Sequence, residues 1–207
     1  MSQSLAEINK TFANATPQEI IEWAVKQDGK IIVTTNFRPQ EAVILHMAVQ
    51  AKPDIEVLWV DSGYNLANTY RFADKVIEQL GLNISVYAPK VTAARRDAVM
   101  DGIPMVDDPA HELFTEQFKL EPFRRAMNEI KPDLWLTAVR REQTEFRQNM
   151  EYVSETASGA LKVAPLLDWT DAQMQAYLAE HNLPDEQKYF DPTKAEANRE
   201  CGLHTQL

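Results

Sequence analysis

Apolar positions along this chain fall into two rhythms, short unbroken runs and stretches of helical spacing, and the two alternate. Thr16-Pro17-Gln18-Glu19 reads as a capping box with proline in the first helical turn. The apolar residues Ile20, Ile21, Ala24 and Val25 behind it predict a helix that stops at Gly29. Lys30 to Thr35 is a β-branched run with little polar alternation, the mark of a parallel strand covered on both faces. Helical spacing returns over 40–52, a strand pattern over 55–60, a helix over 65–80 ending at Gly81, and a strand over 83–87. From 91 to 131 the pattern is mainly helical, with breaks expected at Gly102-Ile103-Pro104 and at Pro122. Strands over 133–139 and 161–167 follow, and Thr170-Asp171-Ala172-Gln173 caps a helix running to about Glu180.

Strands alternating with helices predict an α/β fold built on a doubly wound, mostly parallel sheet. Ligands in such sheets sit outside the carboxyl ends of the strands, where the strand order switches. The segments to watch are therefore Thr34 to Arg38, Asp61 to Tyr64, Ala88-Pro89 and Arg140 to Gln148. Beyond Leu183 the chain is polar and aperiodic, which predicts an α/β domain over 1–183 and a mobile arm over 184–207.

At 207 residues with 44% hydrophobic residues, the chain is long enough for one core without metal or disulfide staples. Its six glycines match neither GxGxxG nor GxxxxGK[ST], which removes the dinucleotide and P-loop fingerprints. The formal charge of −10 repels nucleic acid and anionic membranes, so an anionic ligand needs a local basic site. The single cysteine, Cys201, excludes an internal disulfide, a CxxC pair and a four-cysteine cluster within one chain, and no metal site is expected. The longest apolar stretch, 42–49, is too short for a membrane span, and residues 1–17 lack a signal-peptide core, so a cytoplasmic location is expected.

Arg140, Arg141 and Arg147 follow a buried strand, where paired guanidinium donors suit a multiply charged anion; Glu142 and Glu145 offer the alternative of a self-paired loop. Lys119 stands just before Glu121-Pro122. Thr34 and Thr35, with Phe37 and Arg38, leave the first strand toward a helix whose amides suit a phosphate. Asp61, before Gly63, either accepts from a ribose hydroxyl or caps a helix. Cys201 has Arg199 and His204 beside it to favour the thiolate. His46, on an apolar helix face, reads as a core histidine.

In order, Thr34 to Phe37, Asp61-Ser62-Gly63-Tyr64, Lys119-Leu120-Glu121-Pro122, Arg140-Arg141-Glu142-Gln143 with Arg147, Lys162-Val163 before Pro165, and the terminal Glu200-Cys201-Gly202-Leu203-His204 resemble the motifs of the phosphoadenylyl-sulfate (PAPS) reductase family. The resemblance spans about residues 17–204 and implies an adenine nucleotide α-hydrolase-like fold with a nucleotide-binding domain over 1–183. It implies attack by Cys201 on the sulfate sulfur, an enzyme S-sulfocysteine, and release of sulfite by thioredoxin or glutaredoxin, with no bound cofactor. Cys201 and His204 would be catalytic. Thr34, Thr35, Phe37, Arg38, Asp61, Gly63, Lys119, Arg140, Arg141 and Arg147 would bind the sulfonucleotide. A homodimer is implied as well. Family members using adenylyl sulfate carry two cysteine pairs that this chain lacks. Two departures stand out: the family's longer segment before its terminal motif is replaced here by residues 184–198, and Arg38 stands in place of a glycine. The first leaves adenylyl sulfate as substrate, or nucleotide binding without turnover, as alternatives.

Overall fold

The computed structural model describes residues 4–194, so Cys201 and His204 lie outside the described residues. Two capped helices open the fold, α1 (Leu5–Phe12) and α2 (Pro17–Val25), each with a capping box, Ser4 with Glu7 and Thr16 with Glu19. The alternation then runs β1 (Ile31–Thr35), α3 (Ala42–Ala51), β2 (Glu56–Val60), α4 (Ala67–Leu80) and β3 (Asn83–Tyr87). Short helices α5 (Ala93–Val99) and α6 (Ala110–Thr115) lead through a π-helical turn, Glu116–Leu120, into α7 (Glu121–Ile130). The chain ends with β4 (Leu134–Leu136), β5 (Val153–Glu155), β6 (Leu161–Val163) and α8 (Asp171–Glu180).

The six strands lie in the order β3-β2-β1-β4-β6-β5, parallel throughout except for β5, which runs antiparallel to β6. The chain winds outward from β1 through β2 to β3, then returns to place β4 on the other side of β1. The strand order therefore switches between β1 and β4, at the centre of the sheet.

Burial on both faces follows from the unbroken apolar runs. On one face α3 is buried along nearly its whole length, from Ala42 to Val49, under α2, α4 and α8. On the other, Ile32, Leu58 and Trp135 pack against Phe123, Ala126 and Ile130 of α7.

Three expectations change. Pro122 does not break the helix: it falls in the first turn of α7, and the π-turn before it joins α6 and α7 into one continuous rod, with wider bonding where proline lacks an N–H. The strands expected over 133–139 and 161–167 stop at Leu136 and Val163, and β5, not expected from the sequence, runs antiparallel to β6. The start of the tail is no loose arm: residues 184–194 lie against the domain, with Asp185 accepting from the Gln40 amide at 2.7 Å and the Thr193 carbonyl accepting from His111.

On the free edge of β5, the backbone groups of Val153 are taken by one side chain. Asn9 on α1 donates to the Val153 carbonyl and accepts from its amide, both at 2.8 Å, as a neighbouring strand would. At the opposite end of the strands, Gly29 at φ +107° lets the Asp133 carboxylate reach the Lys30 amide at 2.6 Å; a Cβ at Gly29 would stand 2.4 Å from Asp133 Oδ2. Gly29→Ala should therefore lower the unfolding free energy by about 1–3 kcal/mol, read as a reduced urea midpoint with unchanged slope.

Candidate functional site

A cleft open to solvent lies at the carboxyl ends of β1, β2 and β4, over the strand-order switch. Its floor is set by β1. The Trp135 indole donates to Thr34 Oγ1 at 2.8 Å, and Thr35 donates to the Glu41 carboxylate at 2.6 Å. Glu41, only 6% exposed, also accepts from the Asn36 amide at 2.9 Å and from Arg38 Nε at 3.0 Å. Phe37 takes a positive φ of 51°, with its amide on Thr35 Oγ1 at 3.0 Å. The segment after β1 is thus a tight turn folded around one carboxylate, and α3 begins only at Ala42.

Ser62 and Asn65 enter the cleft from the turn after β2, and Thr137, Ala138 and Val139 from the end of β4. Leu58, Val60, Phe118 and Phe123 give it an apolar side. Four cations line it, Arg38, Lys119, Arg147 and Lys194, against two carboxylates, Glu41 and Asp191. A chain of formal charge −10 thus carries a locally positive cleft at the place where an α/β sheet binds ligands.

Lys119 reaches this cleft because the π-helical turn Glu116–Leu120 re-aims the side chains of the α6–α7 rod. Behind it, Arg96 stacks over Phe114 with its guanidinium carbon 4.9 Å from the ring centroid, and Phe114 stacks on Phe118 at 4.8 Å. In front, the Lys119 ammonium is ion-paired with Asp191. Both are largely buried, at 14% and 7% side-chain exposure. Burial raises the Asp191 carboxyl, but the Lys119 charge and hydrogen bond, with the hydroxyl and amide of Thr193, outweigh it and hold the group below its ordinary value.

Of the residues singled out from the sequence, Thr34, Thr35, Arg38, Lys119 and Arg147 line the cleft. Arg147 is 3% exposed and bonds to Gln143. Phe37 does not: its ring, 1% exposed, packs in the core edge-on to Trp59 at 4.9 Å and to Phe72 at 6.4 Å. Asp61 builds its own turn instead of lining the cleft, accepting from the Gly63 amide, Asn65 Nδ2 and the Tyr70 hydroxyl at 2.8–2.9 Å. Gly63, exposed at φ +77°, serves that turn.

Arg140 and Arg141 diverge from Arg147. Arg140 is buried in an adjoining hollow, bonded to Gln40 at 2.8 Å, to Asp171 at 3.2 Å and to Glu142. Arg141 points elsewhere, paired with Asp168, donating to the Met150 carbonyl at 2.9 Å and stacked over Tyr152. The three-arginine cluster of the sequence is therefore one cleft residue, one neighbour and one structural clamp. His46 also carries structure: its Nδ1 is 2.9 Å from the Tyr177 hydroxyl at the α3–α8 contact. Among the described residues no group of three or more histidine, cysteine or acidic side chains is placed to hold a metal.

The sequence reading missed Tyr189 and Asp191, which line the cleft from the segment taken as a loose arm. The available signal was Tyr189-Phe190 in an otherwise polar stretch. Burial, then the Asp191 charge, pushes the Tyr189 hydroxyl pKa upward.

Two outcomes are expected. Arg147→Ala should weaken binding of an anionic nucleotide in calorimetry by tenfold or more, the loss of about one charge-assisted contact, whereas Arg141→Ala should lower thermal stability and leave that affinity within about twofold. Because the Asp191 carboxyl is depressed in the folded state, its contribution is present above the ordinary aspartate pKa of about 3.9 and is lost as pH falls through the folded value. Amide hydrogen exchange in 189–194, corrected for intrinsic rates, should thus stay slow at neutral pH and accelerate below about pH 4. In Lys119→Met it should be fast at neutral pH.

Comparison with known proteins agrees with this geometry. Residues 30–191 match the family model described as the phosphoadenosine phosphosulfate reductase domain. A phosphoadenosine 5'-phosphosulfate reductase of a Synechococcus species is 38% identical over 185 residues, covering 87% of this chain and 78% of that protein. The enzyme of the same name from Vibrio parahaemolyticus is 33% identical over 223 residues, 97% of this chain and 86% of its own length. That aligned stretch is longer than this 207-residue chain, so the relative carries residues with no counterpart here. Among solved structures, the phosphate complex of phosphoadenylyl-sulfate reductase from Candida auris superposes with a TM-score of 0.77 at 27% identity, covering 89% of this chain and 90% of that one. The FMN adenylyltransferase of Candida glabrata, at 16% identity, TM-score 0.57, and 89% and 59% coverage, shares the fold alone. With the doubly wound sheet and the cationic cleft at its switch point, these matches make the chain a member of the phosphoadenosine phosphosulfate reductase family.

Proposed function

We propose that this chain reduces 3'-phosphoadenylyl sulfate to sulfite and adenosine 3',5'-bisphosphate, with a thioredoxin- or glutaredoxin-type protein as the thiol donor. The observation that carries this reading is the cleft over the β1–β4 switch, cationic within an acidic chain that belongs to this family. The apolar side formed by Leu58, Val60, Phe118 and Phe123 suits an adenine ring, and Arg38, Lys119 and Arg147 suit its phosphates.

In the proposed reaction the Cys201 thiolate attacks the sulfate sulfur, an S–S bond forms, and the bond from sulfur to the bridging phosphate oxygen breaks. Adenosine 3',5'-bisphosphate leaves with that electron pair. The charge that grows on the leaving phosphate is what a preorganised cation set stabilises. A thiolate of the reductant then attacks Cys201 Sγ and expels sulfite. The mixed disulfide so formed is resolved by the reductant's second thiol, which accounts for both electrons. One cysteine in this chain is enough for that sequence of steps. Arg199 and His204, close to Cys201 in sequence, are proposed to favour its thiolate.

Cys201 is seven residues on from Lys194, which lines the cleft, and such a length of chain spans at most about 25 Å. The cleft is therefore within reach of the nucleophile. Because the reaction consumes reduced thiols, we place it in the cytoplasm. Among the described residues no helix is long and apolar enough to cross a membrane.

The test is the intact mass of the reduced protein after incubation with 3'-phosphoadenylyl sulfate and no thiol. Wild type should gain one sulfonate group that thioredoxin removes as sulfite, and Cys201→Ser should gain none while keeping its fold. Absence of the adduct from nucleotide-binding wild-type protein would refute the covalent route. Parallel turnover with adenylyl sulfate reads which sulfonucleotide is the substrate.

A further inference from the structure

One cation of this cleft, Lys119, is already answered by a carboxylate from the segment that closes the cleft lining. Lys119 pairs with Asp191, and the pair is largely withdrawn from water. The two oxygens of Asp191 have different partners. Oδ2 faces Lys119, while Oδ1 accepts from the Thr193 amide at 3.0 Å and from its hydroxyl at 2.7 Å. A carboxylate that left Lys119 would thus keep two donors of its own and would not be stranded.

The segment bearing it is fastened on either side. Asp185 accepts from the Gln40 amide at 2.7 Å, and the Thr193 carbonyl is held by His111 Nε2 at 3.2 Å. The other ring nitrogen of His111, which is 3% exposed, is 3.1 Å from the Pro104 carbonyl. Asp191 therefore lies between two points where the segment is tied to the domain.

We propose that Asp191 is an internal substitute for the ligand's anion. When no nucleotide is bound it neutralises Lys119, and a phosphate group of the ligand takes Lys119 by displacing it. This rests on the proposed function, which supplies the anionic nucleotide. The exchange swaps one anion on Lys119 for another, so a ligand bearing a single weak acceptor gains little from it. A phosphate, with more charge and three oxygens, gains enough to displace the carboxylate. Asp191 thereby lowers the affinity of the cleft for a phosphate-bearing ligand and balances the charge of a buried lysine between turnovers.

Calorimetry with adenosine 3',5'-bisphosphate and with adenosine tests this on wild type, Asp191→Asn, Lys119→Gln and the double variant. Asp191→Asn keeps an oxygen for the Thr193 donors but removes the competing charge. It should tighten bisphosphate binding about tenfold, equal to about 1.4 kcal/mol, and leave adenosine unchanged. In the Lys119→Gln background the same substitution should bring no gain. Equal or weaker bisphosphate binding by folded Asp191→Asn, or equal tightening toward adenosine, overturns the proposal. Should that variant lose its cooperative thermal transition, a crystal structure of wild type with bisphosphate decides. A phosphate oxygen should stand within hydrogen-bond distance of Lys119 Nζ with Asp191 Oδ2 moved away from it, and an intact Lys119–Asp191 pair overturns the idea. If neither wild type nor Asp191→Asn binds bisphosphate while both are folded, the functional reading falls and takes this proposal with it.

Discussion

The Glu41 carboxylate, buried one residue before α3, is the fixed point around which the site is built. It gathers the Thr35 hydroxyl, the Asn36 amide and the Arg38 guanidinium, all within 2.6–3.0 Å, and so turns the chain sharply out of β1. A buried carboxylate is tolerated only when its oxygens are occupied, and here each partner comes from the turn that the carboxylate holds. The turn and the charge therefore stabilise each other. Phe37 pays for the arrangement with a left-handed backbone, and its ring is anchored in the core between Trp59 and Phe72.

That turn sits where the sheet reverses its order, which leaves a gap above β1 and β4 without a crossover connection to cover it. Cations from three separate parts of the chain converge there: Arg38 from the turn, Lys119 from the π-helical step, and Arg147 from the short 3₁₀ helix Phe146–Asn149. None of them stands alone. Arg38 has Glu41, Lys119 has Asp191, and Arg147 has Gln143. The cleft is thus a set of partnered cations, held in place in advance by neutralising or polar neighbours, as preorganised electrostatic sites generally are.

The parallel core of the fold was legible because its strands are apolar runs and its helices carry strong local signals. Thr16-Pro17-Gln18-Glu19 and Thr170-Asp171-Ala172-Gln173 cap the helices their residues announce, and 31–35, 56–60 and 83–87 are strands as the patterns indicate. What escaped was set by tertiary contact. β5 is three residues long and gains its identity from pairing with β6 and from Asn9. Pro122 carries a breaker signal that the π-turn overrides. In the site, residue type was readable but direction was not. Arg140, Arg141 and Arg147 look equivalent along the chain, yet Asp168 and Tyr152 draw Arg141 away, and Asp171 with Gln40 takes Arg140. Asp191 was hidden because polar composition resembles disorder unless the partner, Lys119, is known.

The clamp of Asn9 on Val153 bears on how the molecule behaves among its own copies. A sheet whose last strand shows bare amides and carbonyls invites a strand from a neighbour, and the usual defences are a charge, a proline or a bulge. Here the defence is a side-chain amide whose donor and acceptor match the spacing of a single peptide unit. It is carried on a helix, which cannot itself propagate a sheet. α1 thus does more than pack: it occupies the outward amide and carbonyl of Val153 while presenting no strand to which a further one could be added.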